Sequence, residues 1–218
     1  MSRDATRTER ERRYGGRTTH ERRADRHARL LAAGLEVFGT SGFRTSTIEQ
    51  LCGEAKVATR SFYEEFESRE AVLIELHDDV NRRALTAVLA TLESVDPADV
   101  EQRVRAGFGT YLDVMTTDPR WARIAFVEMV GSTPVAHAAR RVALARFGEL
   151  LEGEANRLAA LGTIERRDYS LTATAVVGAL TALVETWSGV DDRSKQVMRI
   201  TDEATRLMMA ALLGAPAS

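Results

Sequence analysis

The sequence of 218 residues contains little cysteine, proline or aromatic side chain, and its net charge is close to zero. The single cysteine, Cys52, excludes an intrachain disulfide framework and a four-cysteine zinc site, so a reducing compartment such as the cytoplasm is expected. The longest stretch without a formal charge runs from Tyr169 to Val184, which is shorter than the ~18 apolar residues of a membrane-spanning helix. No apolar segment follows the arginine-rich N-terminus, so we expect neither a secretory signal nor a membrane partner.

Sequence motifs of common enzyme classes are also missing. The four histidines, His20, His27, His77 and His137, lack a metal-binding spacing such as H-E-x-x-H. There is no G-x-S-x-G, P-loop or G-x-G-x-x-G motif, and no pair of carboxylates stands out as an acid and base. We therefore expect a protein that is not an enzyme and that needs no cofactor and no metal.

Positive charge is concentrated at the N-terminal end. Residues 1–69 contain 14 Lys and Arg against 11 Asp and Glu, whereas residues 70–218 contain 16 against 21. Residues 1–20 are polar, nearly free of apolar side chains and interrupted by two glycines, which predicts a disordered basic arm. The asymmetry indicates either that the basic part binds a polyanion or that the arm only increases solubility.

Hydrophobic periodicity from residue 21 to Leu213 is helical throughout and never alternates like a strand, which predicts an all-α protein of about nine helices. The pairs Asp96-Pro97, Asp118-Pro119 and Thr133-Pro134 each combine a capping side chain with proline at the first helical position, and they predict three helix starts. The predicted helices cover about 21–39, 46–53, 58–65, 68–92, 97–117, 119–131, 134–162, 165–188 and 192–213.

Two short helices on either side of residue 57 have the pattern of a helix-turn-helix. The segment Ser46-Thr47-Ile48-Glu49 predicts a capping box with the serine as cap. An apolar stripe follows at helical spacing and ends after two turns, and a second short helix has Phe62 and Phe66 on its inner face. Two short helices joined by a tight turn, after an amphipathic helix, are typical of this DNA-binding motif.

The string from Arg26 to Leu73 resembles the DNA-binding domain of the TetR/AcrR family of bacterial repressors. The matching features are the alanine-rich first helix ending in Phe38 and the segments Gly42-Phe43, Thr45-Ser46-Thr47-Ile48, Ala55-Lys56-Val57, Phe62-Tyr63 and Phe66-Glu67-Ser68-Arg69-Glu70-Ala71. The resemblance implies a three-helix DNA-binding domain over residues 21–67 and a helical ligand-binding and dimerisation domain over residues 68–218. The sequence departs from the family pattern at three positions. The family usually has glycine where Lys56 stands, serine or threonine where Ala58 stands, and histidine where Glu65 stands.

The function implied by this resemblance is that of a ligand-responsive transcriptional regulator, most often a repressor. Such a protein binds a palindromic operator in double-stranded DNA as a homodimer and is released by a small-molecule effector. The alternative is a helical small-molecule-binding protein or an adaptor without a DNA role. Salt-sensitive binding to duplex DNA would separate the two.

Seven side chains are candidates for DNA binding. A recognition helix enters the major groove with its N-terminal half, where the guanidinium of Arg60 suits guanine O6 and N7 and Glu64 suits the cytosine amino group. The family resemblance implies phosphate contacts for Tyr63 and Arg69, although a packed aromatic ring and a solvated charge are the alternatives. A hydroxyl and backbone amides at the start of the preceding helix suit a further phosphate. The candidates are Thr47, Thr59, Arg60, Ser61, Tyr63, Glu64 and Arg69.

The middle helices are expected to surround an effector cavity. Glu128 falls on an otherwise apolar stripe, so it is either a ligand anchor or part of an internal ion pair with Arg141 or His137. The other candidates are large apolar side chains that would serve equally well as plain core. The ligand-binding candidates are Phe108, Tyr111, Met115, Trp121, Glu128, Met129 and Trp187.

The last two predicted helices have stripes of small and apolar residues that let another helix approach closely. Faces of this kind suit a four-helix interface between two chains, which is how the TetR family usually dimerises. The alternative is that both faces pack within one chain. The candidate interface residues are Ala175, Ala179, Ala182, Leu183, Ala204, Leu207 and Met208.

Overall fold

The computed structural model describes residues 18–130, 133–187 and 193–213, although the side chains of residues 186, 187, 193 and 194 lie outside this description. All regular structure in these ranges is helical and none of it is strand, which confirms the all-α prediction. Residues 1–17 of the predicted arm lie outside the described residues. The last residues of the predicted arm are ordered and not disordered as predicted. Thr18 caps the first helix in a capping box with Glu21, so residues 19 and 20 are already helical.

The helices of the described residues follow the predicted order. They are α1 (Thr19–Thr40), α2 (Ile48–Ala55), α3 (Thr59–Glu65), α4 (Arg69–Ser94), α5 (Val100–Thr116), α6 (Pro119–Arg123), α7 (Pro134–Ala160), α8 (Ser170–Trp187) and α9 (Arg193–Leu213). A π-helical turn, Ile124–Glu128, continues α6, and the sequence pattern contains no sign of this change in helical pitch.

Two of the three helix starts predicted at prolines are confirmed. Asp118 and Thr133 are N-caps, each accepts a hydrogen bond from a backbone amide of its helix, and proline occupies the next position. In both places the fixed φ of proline suits a helix whose first amide needs no partner.

The third start, at Asp96-Pro97, is wrong. The carboxylate of Asp96 accepts a hydrogen bond of 2.8 Å from the amide of Ala98, and its carbonyl accepts one of 3.1 Å from the amide of Asp99. These contacts close a turn, and Asp99 then caps α5. Two aspartates three residues apart are both suitable caps, and the turn determines which of them is used.

Contacts divide the chain into two compact units between Leu76 and His77, inside α4. The sequence places the domain boundary before this helix. The core of the first unit is built from α1, α2, α3 and the first two turns of α4, and includes Leu30, Phe38, Leu51 and Phe62. The core of the second unit contains the remaining helices packed around fully buried side chains that include Leu112, Met115, Leu158 and Tyr169. No helix of the described residues is both long enough and apolar enough to cross a membrane.

Candidate DNA-binding unit and ligand cavity

The helix-turn-helix begins one residue later than predicted, because Thr47 and not Ser46 is the N-cap of α2. The Thr47 hydroxyl accepts a hydrogen bond of 3.2 Å from the Gln50 amide, and the Gln50 side chain accepts one of 2.8 Å from the Thr47 amide. The Ser46 hydroxyl instead donates to the carbonyl of Phe43 at 2.7 Å. The capping box is therefore present, with glutamine at the N3 position of the helix.

Thr47 is exposed, as a phosphate-binding residue has to be, but its polar groups already have partners. Glu49 lies in the same first turn, and hydrogen bonds from its own backbone amide and from the Thr47 side chain lower the pKa of this carboxyl. The carboxylate therefore occupies part of the positive end of the helix. A phosphate bound here would have to share that end with Glu49.

The turn between α2 and α3 contains a lysine in a conformation that favours glycine. Lys56 has φ 53° and ψ 48°, the left-handed region, and this explains why the family usually has glycine at this position. Arg29 of α1 donates through Nη1 to the carbonyls of Ala55 and Lys56 at 3.3 and 3.4 Å. This arginine binds the last carbonyls of α2 and holds the turn against α1.

The recognition helix α3 begins at Thr59 even though its N-cap, Ala58, offers no side-chain hydrogen bond. Phe62 is fully buried on the inner face, and the amide of Phe66 donates to the Phe62 carbonyl at 2.8 Å to end the helix. Burial raises the pKa of the Cys52 thiol, and a hydrogen bond with Thr59 acts in the opposite direction. The helix α3 therefore forms without a capping side chain, and its first residue, Thr59, contacts Cys52 of α2.

The outer face of α3 carries four of the seven predicted DNA-binding side chains, including Tyr63, which is predicted to contact phosphate. Thr59, Arg60, Tyr63 and Glu64 are exposed, whereas Ser61 is partly buried. We call these four exposed residues the recognition face. The Arg60 side chain is 92% exposed, and its Nε lies 3.6 Å from Oε1 of Glu64, too far for a hydrogen bond. The guanidinium of Arg60 is therefore accessible to a base edge.

Glu65, next to the recognition face, is buried and binds two arginines of α1. Its side chain is 2% exposed and accepts hydrogen bonds of 3.0 Å from Nε of Arg23 and 2.9 Å from Nη2 of Arg26. The sequence indicates only that the usual histidine is missing here. The acidic residue instead joins the end of α3 to α1.

Arg69, a candidate phosphate contact, lies partly buried within the first unit. Its Nη1 donates to the carbonyl of Phe43 at 2.8 Å and to the hydroxyl of Ser46 at 2.9 Å, and it also contacts the Ser46 carbonyl. The guanidinium carbon lies 4.7 Å from the centre of the Phe43 ring. Arg69 is therefore neither a simple solvated charge nor a freely extended phosphate ligand, because it anchors the segment before α2 to α4.

The second unit contains a mostly apolar cavity of about 60 Å³. Side chains of α4, α5, α7, α8 and α9 form its walls, and α6 contributes none of them. The sequence predicts a cavity between the fifth and eighth helices, so the contributions of α4 and α9 are additional. The lining includes Val88, Leu92, Phe108, Tyr111, Phe147 and Met208.

Two of the seven predicted ligand-binding residues, Phe108 and Tyr111, line this cavity. The Tyr111 ring packs edge-on against Phe147 with centroids 4.5 Å apart, and burial raises the pKa of the Tyr111 phenol. Met115 and Met129 are fully buried but do not line the cavity, so they are core residues.

Of the other three ligand-binding candidates, Trp121 and Glu128 also lie outside the cavity lining. Trp121 is partly buried, and the guanidinium of Arg83 lies 5.0 Å from its ring centre. Glu128 is buried and accepts a hydrogen bond of 2.6 Å from Nε of Arg123, so the ion-pair interpretation is correct but the predicted partners, Arg141 and His137, are wrong. The π-helical turn brings residues five apart into contact, which a 3.6-residue period does not reveal. The side chain of Trp187 lies outside the described residues.

An ion pair between Arg103 of α5 and Glu154 of α7 lies in the cavity wall and is not predicted from the sequence. Nε of Arg103 donates to Oε1 of Glu154 at 2.7 Å, and the Arg103 side chain is 1% exposed. The signal was available, because Arg103 precedes Gly107 and Tyr111 at four-residue spacing along the inner face of α5.

The predicted dimer residues fall into two groups. Ala175, Ala182 and Leu207 are exposed, and Ala179 and Leu183 are partly buried, so a partner could reach them. Ala204 and Met208 are buried in the core of their own chain, and Met208 also lines the cavity, which corrects the prediction for these two residues. The inner and outer stripes of α9 are both apolar, and periodicity alone could not distinguish them.

Comparison with known proteins agrees with this arrangement. Residues 30–76 match the family model for bacterial regulatory proteins of the tetR family. Over 120 residues the chain is 31% identical to the HTH-type transcriptional regulator EthR of Mycolicibacterium smegmatis, and the match covers 55% of this chain and 54% of EthR. The chain thus spans about half the length of the curated relatives it matches.

Solved structures extend the likeness to the whole fold. A putative TetR-family transcriptional regulator from Syntrophomonas wolfei superposes with a TM-score of 0.75 at 15% identity, covering 88% of this chain and 99% of that one. FadR from Bacillus subtilis, solved in complex with stearoyl-CoA, superposes with a TM-score of 0.71 at 16% identity, covering 85% and 98%. With the helix-turn-helix geometry, these comparisons show that residues 30–76 are a DNA-binding segment of the tetR family type and that the chain has the same fold as solved structures of that family.

Proposed function

We propose that this protein is a ligand-responsive transcriptional regulator, acting as a repressor, that binds a palindromic operator and releases it when a small molecule binds. The observation that carries the proposal is the recognition face. Its side chains are exposed on a short helix whose opposite side is fixed by Phe62 and Glu65. A rigid helix with an accessible arginine is suited to reading base edges in the major groove.

A homodimer accounts for the small size of this DNA-binding element. One α3 of seven residues buries little surface on DNA, so two copies on two half-sites are needed for a stable complex. On α8 the exposed residues Leu171, Ala175, Gly178 and Ala182 form one stripe at helical spacing. We assign this stripe, together with Leu207 of α9, to the interface with the second copy.

The cavity of the second unit is the proposed effector site. Its apolar lining suits a hydrophobic molecule, and the likeness to FadR, which was solved with stearoyl-CoA, supports a ligand with an apolar portion. Val88 and Leu92 of the cavity wall belong to α4, the same helix that begins at Arg69. Displacement of α4 by a ligand would change the spacing of the two recognition helices, which has to match half-sites ~34–36 Å apart.

We further infer that the protein acts in the cytoplasm, where operator DNA is found, and that it is not an enzyme. Both inferences are supported by the resemblance to curated transcriptional regulators such as EthR. The alternative, a helical small-molecule-binding protein or adaptor, requires the cavity but gives the recognition face no role.

Binding of the full chain to duplex DNA at several salt concentrations tests the proposal. The expected result is tight binding to a subset of duplexes, with a binding constant whose logarithm falls linearly with the logarithm of the salt concentration. A bound effector must weaken DNA binding by the same factor by which DNA weakens effector binding. No measurable duplex binding at low salt would contradict the proposal and favour the alternative.

A further inference from the structure

Two acidic residues end the recognition helix α3, and they differ in what binds them. Glu65 is buried and accepts hydrogen bonds from two arginines of α1. The Glu64 side chain is 49% exposed on the recognition face, and within the described part of the chain its carboxylate accepts no hydrogen bond. The oxygens of Glu64 can therefore accept a hydrogen bond from a group outside the protein.

Helix stability does not account for an acidic residue at position 64. Glu64 lies in the last turn of α3, where the negative end of the helix dipole disfavours a carboxylate. It also follows Arg60 by four residues, and an acidic residue on the C-terminal side of its basic partner is the weaker order for a helical ion pair. A locally unfavourable residue in a well-packed element is the kind of exception that proteins make at functional sites.

Two guanidinium groups compensate the charge of Glu64 without occupying its oxygens. Nε of Arg60 lies 3.6 Å from Oε1 of Glu64, and Nη2 of Arg26 lies 3.7 Å from Oε2. Both distances are within the range of an ion pair but too long for a hydrogen bond. Arg26 is itself held in place, because its Nη2 donates to Glu65 at 2.9 Å. The carboxylate of Glu64 can therefore approach the phosphates of DNA with less repulsion than an isolated carboxylate would meet.

We propose that Glu64 reads a cytosine of the operator by accepting a hydrogen bond from its N4 amino group in the major groove. This inference rests on the proposed function, since it names the base content of the DNA that the recognition face binds. The major-groove edge of cytosine presents a donor and no acceptor, whereas guanine and thymine present acceptors and adenine presents N7 beside its amino group. A carboxylate offers only acceptors, so cytosine is the one base that it meets without an opposing acceptor.

The spacing of the two charged side chains determines where this cytosine lies. Arg60 and Glu64 are about one turn apart on one face of α3, which corresponds to about 6 Å along the helix axis. Successive base pairs of DNA are ~3.4 Å apart. With Arg60 on a guanine, Glu64 reaches a base at most about two base pairs away. Each half-site is therefore expected to contain a guanine and a cytosine at this separation.

Selection of duplexes from a random pool by the full chain tests the proposal, with the wild type, Arg60→Ala, Glu64→Gln and Glu67→Gln compared. Arg60→Ala locates the guanine, and the wild-type motif should contain a cytosine within about two base pairs of it. Glutamine pairs with N6 and N7 of adenine, so Glu64→Gln should replace this cytosine by adenine. Glu67→Gln removes the same charge from an exposed position outside α3 and should keep the wild-type motif.

A modified operator tests the hydrogen bond itself. N4-methylcytosine still pairs with guanine, but its methyl group replaces the amino hydrogen that faces the major groove. This modification should weaken wild-type binding about tenfold and leave the binding of Glu64→Ala unchanged, because alanine makes no contact with the amino group. This inference alone is overturned if the wild-type motif lacks the cytosine, if Glu64→Gln retains it, or if both proteins lose affinity equally. A wild type that enriches no motif would contradict the proposed function as well.

Discussion

The carboxylate of Glu65 accepts a hydrogen bond of 2.9 Å from Nη2 of Arg26, and this contact joins the end of the recognition helix α3 to α1. Arg23 adds a second hydrogen bond at 3.0 Å. The position usually holds histidine in this family, so the chain replaces one polar group by an acidic group with two arginine partners. The orientation of the recognition face therefore depends on a buried carboxylate.

Replacement Glu65→Ala is expected to lower the free energy of unfolding by about 1–3 kcal/mol, because two guanidinium groups lose a shared buried acceptor. The Arg23 side chain is largely exposed, so solvent screens its contact with Glu65 and moves the expected loss toward the lower end of this range. Urea unfolding of the full chain measures the change. Glu67→Ala, which removes an exposed carboxylate two residues away, is the matched control. Equal stability of the two variants would show that the Glu65 contacts contribute nothing.

Two helical glycines should respond in opposite ways to alanine. A Cβ atom at Gly34 of α1 would lie 2.6 Å from Cγ1 of Val72, so Gly34→Ala forces α1 and α4 apart within the first unit and should destabilise it by about 1–3 kcal/mol. A Cβ at Gly107 of α5 would meet Leu92 at 3.8 Å, an ordinary contact. Gly107→Ala should therefore stabilise the protein by up to about 1 kcal/mol through helix propensity. Thermal unfolding of both variants checks the pair, and a loss of stability in both would contradict the assigned packing.

His77 should make the protein less stable in mild acid. Burial lowers the pKa of His77, the positive charge of Arg140 adds to the lowering, and the neighbouring Asp78 opposes it. As the pH falls below 6.5, the unfolded chain binds the proton first, so the free energy of unfolding decreases by at most about 1.4 kcal/mol per pH unit until the folded state is also protonated.

Replacement His77→Gln removes this contribution, so the variant should lose less stability than the wild type between pH 7.5 and 5.5. Urea unfolding at the two pH values measures the difference. His137→Gln alters an exposed histidine and should follow the wild type. A His77→Gln variant with the same pH dependence as the wild type would exclude His77 as the source.

The proposed dimer interface can be tested without disturbing the core. Ala175 is exposed on α8, so Ala175→Glu should leave the fold intact while placing unpaired charge at the interface with the second copy. Sedimentation velocity at micromolar concentration should show a wild-type dimer and a variant monomer with unchanged circular dichroism. Ala145→Glu, on an exposed face of α7, is expected to remain dimeric. A monomeric wild type that binds its operator at full affinity would overturn the assignment.

Local features of the fold were readable from the sequence, because they depend on neighbours a few residues apart. The proline starts at Asp118 and Thr133 and the inner positions of Phe62 and Phe66 are of this kind. The errors at the two other caps are shifts to a nearby candidate. Thr47 caps its helix where Ser46 is predicted, and Asp99 caps its helix where Asp96 is predicted. In each case the neighbouring turn determined which residue caps the helix.

The functional details that were missed depend on residues far apart in the sequence. Arg69 reaches Ser46, and Arg103 reaches Glu154, only because packed helices bring them together. A helical period assigns a residue to a face but does not say which neighbour covers that face. For this reason Met115 and Met129 were indistinguishable from cavity residues, and Ala204 from interface residues.

Arg60 and Arg69 have different expected roles in DNA binding. Arg60 is exposed, so Arg60→Ala should leave stability unchanged, cost about 1–3 kcal/mol of operator binding and relax the preference at one base pair per half-site. Arg69 is bound to Phe43 and Ser46, so Arg69→Ala should weaken all sequences alike and also destabilise the first unit.

The most direct measurement of the central claim is selection of bound duplexes from a random pool by the wild type, Arg60→Ala and Arg69→Ala, followed by affinities at several salt concentrations. We expect a palindromic motif for the wild type, the same motif at lower affinity for Arg69→Ala, and a motif degenerate at one base pair per half-site for Arg60→Ala. A wild type that enriches no motif, or an Arg60→Ala variant that keeps the motif while Arg69→Ala changes it, would contradict the account.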